Sequence, residues 1–253
     1  MRTLLVWGLL AGLLAGVLAF GFASAFGEPS VEAAIGFESS SAQQHDHGAG
    51  QPAAEEPEPV PRGVQRTLGL AIATCLYGTA LGGLFALAFA FGYGRIARIS
   101  PRNTALLLAA LAFGAVYLVP FLHYPANPPS VGNPDTIGNR STVYFGFVAI
   151  SIVLAIAAMY ARRRLAQRLE NWLAVVIAAV GYLVAAWGIG ALLPHFREVP
   201  DGFPAQTLWE FRTASAGTQV VLWATIGIAF AALIDRAEHR ATKRATEAGL
   251  LAG

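Results

Sequence analysis

The chain has 253 residues, 55% of them apolar and only 13% charged, with 27 glycines and a mean hydropathy of +0.54. Soluble domains carry roughly 25% charged residues, so this composition excludes a soluble globular protein and predicts an all-α integral membrane protein. The formal net charge of +2 excludes little, but the single cysteine, Cys75, lies inside an apolar run and rules out an intramolecular disulfide or a CxxC motif. It reads as a small packing residue.

Six apolar runs have about the length needed to cross a hydrocarbon core of about 30 Å at about 1.5 Å per helical residue. Their approximate limits are Leu4–Phe26, Leu68–Gly92, Thr104–Leu122, Val143–Ala161, Trp172–Leu193 and Thr218–Ile234, and none has an ionisable Asp, Glu, Lys, Arg or His in its interior. Apolar on every face, they suit helices rather than the alternating strands of a barrel. The expected fold is a bundle of about six transmembrane helices.

The first run, residues 1–26, also resembles a secretory signal, since Arg2 precedes the apolar stretch and Ala23-Ser24-Ala25 follows it. Cleavage would leave five helices. A retained helix is favoured by the length of the run and by Gly8, Gly12 and Gly16, whose spacing of four makes one smooth face for close helix approach.

Basic residues orient the bundle. All of the 17 Lys and Arg except Arg62, Arg66, Arg140, Arg197 and Arg212 fall at Arg2, in the turns around Arg95–Arg102 and Arg162–Arg168, or in the tail after Asp235. That side is expected to be cytoplasmic, together with both termini. The opposite side holds most of the acidic residues and every histidine except His239, which suits capture of a cation.

Three segments make up that outer face. Residues 27–66 begin with a helical pattern, Glu28 and Glu32 one turn apart beside an apolar stripe of Val31, Ala34 and Ile35, that could rest on the membrane surface. They continue into a Ser-, Gln-, Pro- and Glu-rich tract expected to be a disordered linker, which contains His45, Asp46 and His47. The five-helix membrane domain, residues 67–253, contributes outer loops over 120–142 and 194–217. The first of these reads PFLHYPANPPSVGNPDTIGNR from Pro120 and is rich in prolines that interrupt both helix and strand. The second carries His195, Glu198, Asp201 and Glu210, with Trp209 and Phe211 as interfacial anchors.

Several stretches resemble the CbtA family of predicted cobalt transporter subunits over nearly the whole chain: RTLLVWGLLAGLLAGVLAFGFASAFGEP from Arg2, RGVQRTLGL from Arg62, LVPFLHYPANPPSVGNPDTIGNR from Leu118, and EVPDGFPAQTLWEFRTASAGTQVVLWA from Glu198. The resemblance implies a multi-pass protein of the bacterial cytoplasmic (inner) membrane. It further implies a small, single-helix, histidine-bearing CbtB-like partner and a role in cobalt uptake associated with cobalamin synthesis.

Candidate metal ligands are His45, Asp46, His47, His123, His195, Glu28 and Glu32. Imidazoles flanking a carboxylate suit Co2+, Ni2+ or Zn2+, and the resemblance alone singles out Co2+. His123 and His195 close the third and fifth helices at similar depth, either as ligands from two helices near Asp135, Glu198 or Asp201, or as caps of helix ends. The carboxylates of Glu28 and Glu32 equally suit the first turn of a helix. Arg212 is expected to pair with Glu210 or with lipid headgroups.

No resident cofactor is expected. The membrane interior offers only groups such as Thr74, Cys75, Tyr77, Ser151, Gln219 and Thr225, so no proton relay is visible, and no GxxxxGK[ST] loop suggests ATP use. With no nucleophile and base at a recognisable spacing, an enzyme is not expected. Expected partners are membrane lipid, the CbtB-like subunit implied by the resemblance and further copies of the chain in a homo-oligomer, with no nucleic acid. The competing readings are a non-transporting metal-capture scaffold or chaperone, and a haem-binding membrane protein with His123 and His195 as axial ligands.

Overall fold

The computed structural model describes residues 1–46, 60–95, 99–196 and 198–251, without the side chains of 41–46, 244–245 and 248–251. Every regular element among the described residues is helical. α1 (Arg2–Phe22) leads through a π turn, Ala23–Gly27, into α2 (Glu28–Asp46); α3 (Leu70–Gly92) follows a second π turn, Gln65–Gly69. α4 (Pro101–Ala112) continues through a third, Phe113–Leu118, into α5 (Val119–His123); α6 (Ile137–Leu165), α7 (Asn171–Leu192) and α8 (Ala205–Leu251) complete the chain. Joined across these turns, six helices are long and apolar enough to cross a membrane: Arg2–Ser40, Arg62–Gly92, Pro101–His123, Pro134–Leu165, Asn171–Leu192 and Ala205–Lys243.

All but α7, which matches its apolar stretch to within a residue, outrun theirs, because backbone hydrogen bonding does not stop where hydropathy falls and Arg, Gln and Ala continue a helix readily. The irregular part of the Pro120–Arg140 stretch is correspondingly short, Tyr124–Asn133. Pro120 stands in the first turn of α5, and Pro134 opens the 3-10 turn Pro134–Thr136 that runs into α6. At Pro134 a missing N–H leaves no helical bond unmade, whereas Pro120 follows directly on the π turn Phe113–Leu118 within a continuous helical run.

The chain divides into two compact units, residues 1–24, 62–112 and 218–253, and residues 25–61 with 113–217. In the first, α1 and α3 touch backbone to backbone. The residues of α1 buried there are all small, Gly8, Ala11, Gly12, Ala15, Gly16 and Ala19, while Leu10, Leu14 and Leu18 on its other faces are about half exposed. A β-carbon on Gly12 would collide with the Gly78 carbonyl, one on Gly8 with the Gly82 carbonyl, and one on Gly16 would lie 2.6 Å from Cys75 Cα. The backbone of Cys75 lies against Gly16, and the residue is half-buried. Phe230 of α8 meets Phe85 and Phe89 of α3 edge-on, with ring centroids 5.2 Å apart in each case. Ser100 caps α4 ahead of Pro101, accepting from the Asn103 N–H at 3.3 Å.

In the second unit, Phe147 of α6, Val119 of α5 and Ala186 of α7 form a buried core with Tyr124, Tyr182 and Leu193 around it. The π turn before Pro120 leaves the Ala115 carbonyl facing a residue without an N–H. Ser151 Oγ donates to that oxygen at 2.6 Å and lies 2.8 Å from the Tyr182 hydroxyl, so the buried serine of α6 serves a helix irregularity. A smaller cluster joins Ala34 of α2 to Val131 and Phe203 of the two loops, with Phe37 and Phe203 packed edge-on at 5.1 Å. The apolar stripe of α2 therefore meets the loops. The helix runs on past Ser39 to Asp46.

The α1–α3 contact is directly testable. Gly12→Ala places a methyl group on the opposing backbone and is expected to cost about 1–3 kcal/mol. Gly21→Ala, where a β-carbon meets nothing within 4 Å, is neutral or slightly stabilising. Thermal unfolding of the two variants in one detergent separates them; equal melting temperatures would mean the helices do not approach this closely.

Candidate functional site

A cavity of about 500 Å³ lies within the second unit, between the loop Tyr124–Asn133, the loop after α7 and the helix ends around them. His123 from the end of α5 and His195 from the segment after α7 both line it. Their ring centroids are 5.3 Å apart. The similar depth expected for the two is thus a shared cavity.

His123 is firmly placed. Its Nε2–H donates to the Gly190 carbonyl at 2.7 Å, which at the C-terminal end of α7 also accepts from the Leu193 N–H at 3.1 Å. The ring caps a helix end, that of the neighbouring α7 rather than its own. It lies over Gly190, where a β-carbon would come within 2.7 Å of Cε1, and against Phe147 at 5.3 Å between centroids. With Nε2 donating, the neutral ring keeps its lone pair at Nδ1, the form that ligates a metal. His195 is exposed. Next to His123, the Tyr124 hydroxyl donates to the Pro194 carbonyl at 2.9 Å and so holds the His195 segment beside α5. Burial pushes this phenol above its usual range, which keeps it a neutral donor.

Glu198 belongs to the frame of the cavity. Its Oε2 accepts from the Asn133 N–H at 2.9 Å, its oxygens accept from the Thr136 hydroxyl at 2.9 and 3.0 Å, and Arg140 Nε lies 3.4 Å away. A carboxylate at the start of α6 also meets the positive end of the helix dipole. Its pKa is held below the usual carboxylate range, first by the Asn133 N–H and then by the Thr136 hydroxyl and the Arg140 charge, which outweigh the opposing desolvation. Glu198 therefore ties the two loops together. Asp135 and Asp201 do not line the cavity. Ser130 adopts φ 69° in the turn that follows Pro128 and Pro129, and its hydroxyl bonds the Ala34 carbonyl at 3.0 Å and Glu38 Oε2 at 2.9 Å, anchoring the loop on α2.

The expected pairing of Arg212 with Glu210 is not formed. Residues two apart on a helix point to different sides, so Glu210 accepts from Gln206 one turn back, at 2.7 Å. Arg212 turns to the loop, donating from Nε to the Ala126 carbonyl at 3.2 Å and from Nη2 to Asn127 Oδ1 at 2.9 Å. Both Arg212 and Arg140 line the cavity. Composition marks them only as sparse charges beside apolar runs, and nothing in the spacing of Gly190 distinguishes it from other helix glycines.

Of the other expected ligands, Glu28 and Glu32 stand in the first turns of α2 and do not line the cavity. The side chains of His45 and Asp46, and His47 altogether, lie outside the described residues. Among the described residues, no three of His, Cys, Asp and Glu come together as a metal cluster. The cavity offers two imidazoles on an aromatic wall.

Two changes probe this frame. Gly190→Ala forces the His123 ring off the Gly190 carbonyl, whereas Gly188→Ala meets nothing within 4 Å. The histidine nitrogen NMR shifts should move in the first variant alone, and an unmoved His123 signal there would contradict the placement of the ring. Glu198 ionises more readily in the folded state, so its stabilisation is present above the ordinary carboxylate pKa of about 4.3 and is lost as pH falls through the depressed value. The melting temperature of the parent protein should drop below about pH 4, while Glu198→Gln melts lower at neutral pH and loses this part of the acid dependence. Parallel pH curves would refute the tie.

No curated protein and no solved structure matches the chain. A family model described as "Probable cobalt transporter subunit (CbtA)" matches residues 1–235. That span includes all six apolar runs and every residue that lines the cavity. This multi-pass membrane protein belongs to the CbtA family of cobalt transporter subunits.

Proposed function

We propose that this subunit captures a divalent transition-metal ion, Co2+ before Ni2+ or Zn2+, at the extracytoplasmic face of the bacterial inner membrane and passes it inward. His123 and His195 are the first fixed ligands. The reading is carried by the two imidazoles, which come from separate helix ends to face one cavity with centroids 5.3 Å apart. Neutral imidazole is a donor suited to borderline first-row ions.

His45, Asp46 and His47, with Glu28 and Glu32, would act upstream, raising the local concentration of cation near the mouth. Such capture needs no rigid geometry. Both termini face the cytoplasm in this orientation, following the distribution of basic residues. A membrane potential of about 100 mV favours inward movement of a divalent ion by about 4.6 kcal/mol, and the membrane segments supply no ionisable relay of their own. The chain therefore conducts down the potential or works with its partner, a small histidine-bearing CbtB-like subunit. No catalytic step is needed for this role.

Isotopic cobalt uptake, in cells that lack other importers and carry the partner, should rise on expression of the chain. His123→Ala with His195→Ala should lower it about 10-fold or more, the scale expected for perturbing a metal site. Equal uptake by expressing and empty cells would sink the proposal. Full uptake by the double variant would remove the two histidines from the path.

A further inference from the structure

The cavity that holds His123 and His195 is poorly made for a bare cation. Two guanidinium groups, Arg140 and Arg212, line it against a single carboxylate, Glu198, whose oxygens are already engaged by Asn133, Thr136 and Arg140. Arg212 is held by a backbone carbonyl and a side-chain amide, both neutral, so these partners leave its charge in place. Two imidazoles do not complete the coordination of a first-row ion, and no third His, Cys, Asp or Glu joins them among the described residues.

The size and walls are those of a site for a small organic molecule. About 500 Å³ falls within the range of roughly 300–1,000 Å³ typical of such pockets. Tyr117, Phe121, Tyr144, Phe145 and Phe196 supply apolar and aromatic surface around the charged groups. What the wall lacks for a metal is a carboxylate not already engaged, and a metal carried by a polycarboxylate brings its own.

We propose that the cargo enters this cavity as a chelate of the metal with an organic carboxylate, held through carboxylate oxygens on Arg212. This rests on the metal-uptake reading and names the form in which the metal is recognised. The planar, permanently charged guanidinium matches a carboxylate, the aromatic wall encloses the carbon skeleton, and His123 Nδ1 and His195 approach the metal as its bound waters leave. The exchange replaces water by neutral imidazole and requires no oxidant or reductant.

Titration calorimetry on the full chain in a neutral detergent compares cobalt chloride, citrate and the equimolar cobalt–citrate complex, which is anionic. The complex should bind once per chain and about 10-fold or more tighter than cobalt chloride, the scale of a charge-assisted hydrogen bond. Arg212→Gln should erase that preference while retaining the binding of cobalt chloride. Asn127→Ala removes one tie of Arg212 but keeps its charge and should retain the preference, which guards against an Arg212→Gln variant that merely fails to fold. Cobalt chloride binding as tightly as the complex, or an unchanged preference in Arg212→Gln, overturns the proposal and leaves the uptake reading standing. Wild-type protein that binds neither form of cobalt overturns both. A third arm adds phosphatidylglycerol: Arg212-dependent displacement of the complex by stoichiometric lipid would assign the arginine to a headgroup and overturn the chelate site.

Discussion

In a hydrocarbon solvent a leucine gains little by turning inward, so helices must be held together by something other than the burial of large apolar side chains. The α1–α3 pair meets this constraint by leaving side chains out. Gly8, Gly12 and Gly16 lie on Gly82, Gly78 and the Thr74–Cys75 backbone, and Leu10, Leu14 and Leu18 face away. Dispersion between closely approaching backbones takes the place of a leucine core, which makes the contact intolerant of even one methyl group.

The same solvent penalises every backbone group that lacks a partner, and the second unit is organised around such groups. Where Pro120 interrupts the helical ladder a side chain repairs it: Ser151 takes the Ala115 carbonyl. At the helix ends, His123 adds a second bond to the Gly190 carbonyl and Glu198 accepts the Asn133 N–H. These repairs place the cavity wall. His123 is oriented by the carbonyl that it caps, and His195 is held beside it by the Tyr124–Pro194 bond.

The cavity combines neutral nitrogen donors, aromatic surface and arginine charge. Its positive character is unexpected for a cation path, and it turns attention from the ion alone to the anionic ligands that accompany a metal in solution. Of the carboxylates that follow His195 in sequence, Glu198 lines the cavity and Asp201 stands outside it. The first of them fastens the loops.

The amino-acid sequence by itself determined the membrane class, the six helices to within a few turns, the glycine face of α1 and the family, because hydropathy, helical spacing and long family-like segments are properties of local stretches. It also marked His123 and His195 as residues at comparable helix ends. It did not determine that Arg212 turns to Asn127 rather than to Glu210, that Glu198 crosses to the start of α6, that Ser151 serves the turn before Pro120, or that Gly190 is the floor under His123. These are contacts between segments some 30 to 90 residues apart, as in the separations of 36 for Ser151–Ala115 and 85 for Arg212–Asn127. Only the tertiary structure decided them, since the partner of a polar group is chosen by which unsatisfied group the fold brings within about 3 Å, and that distance is not a property of any one stretch.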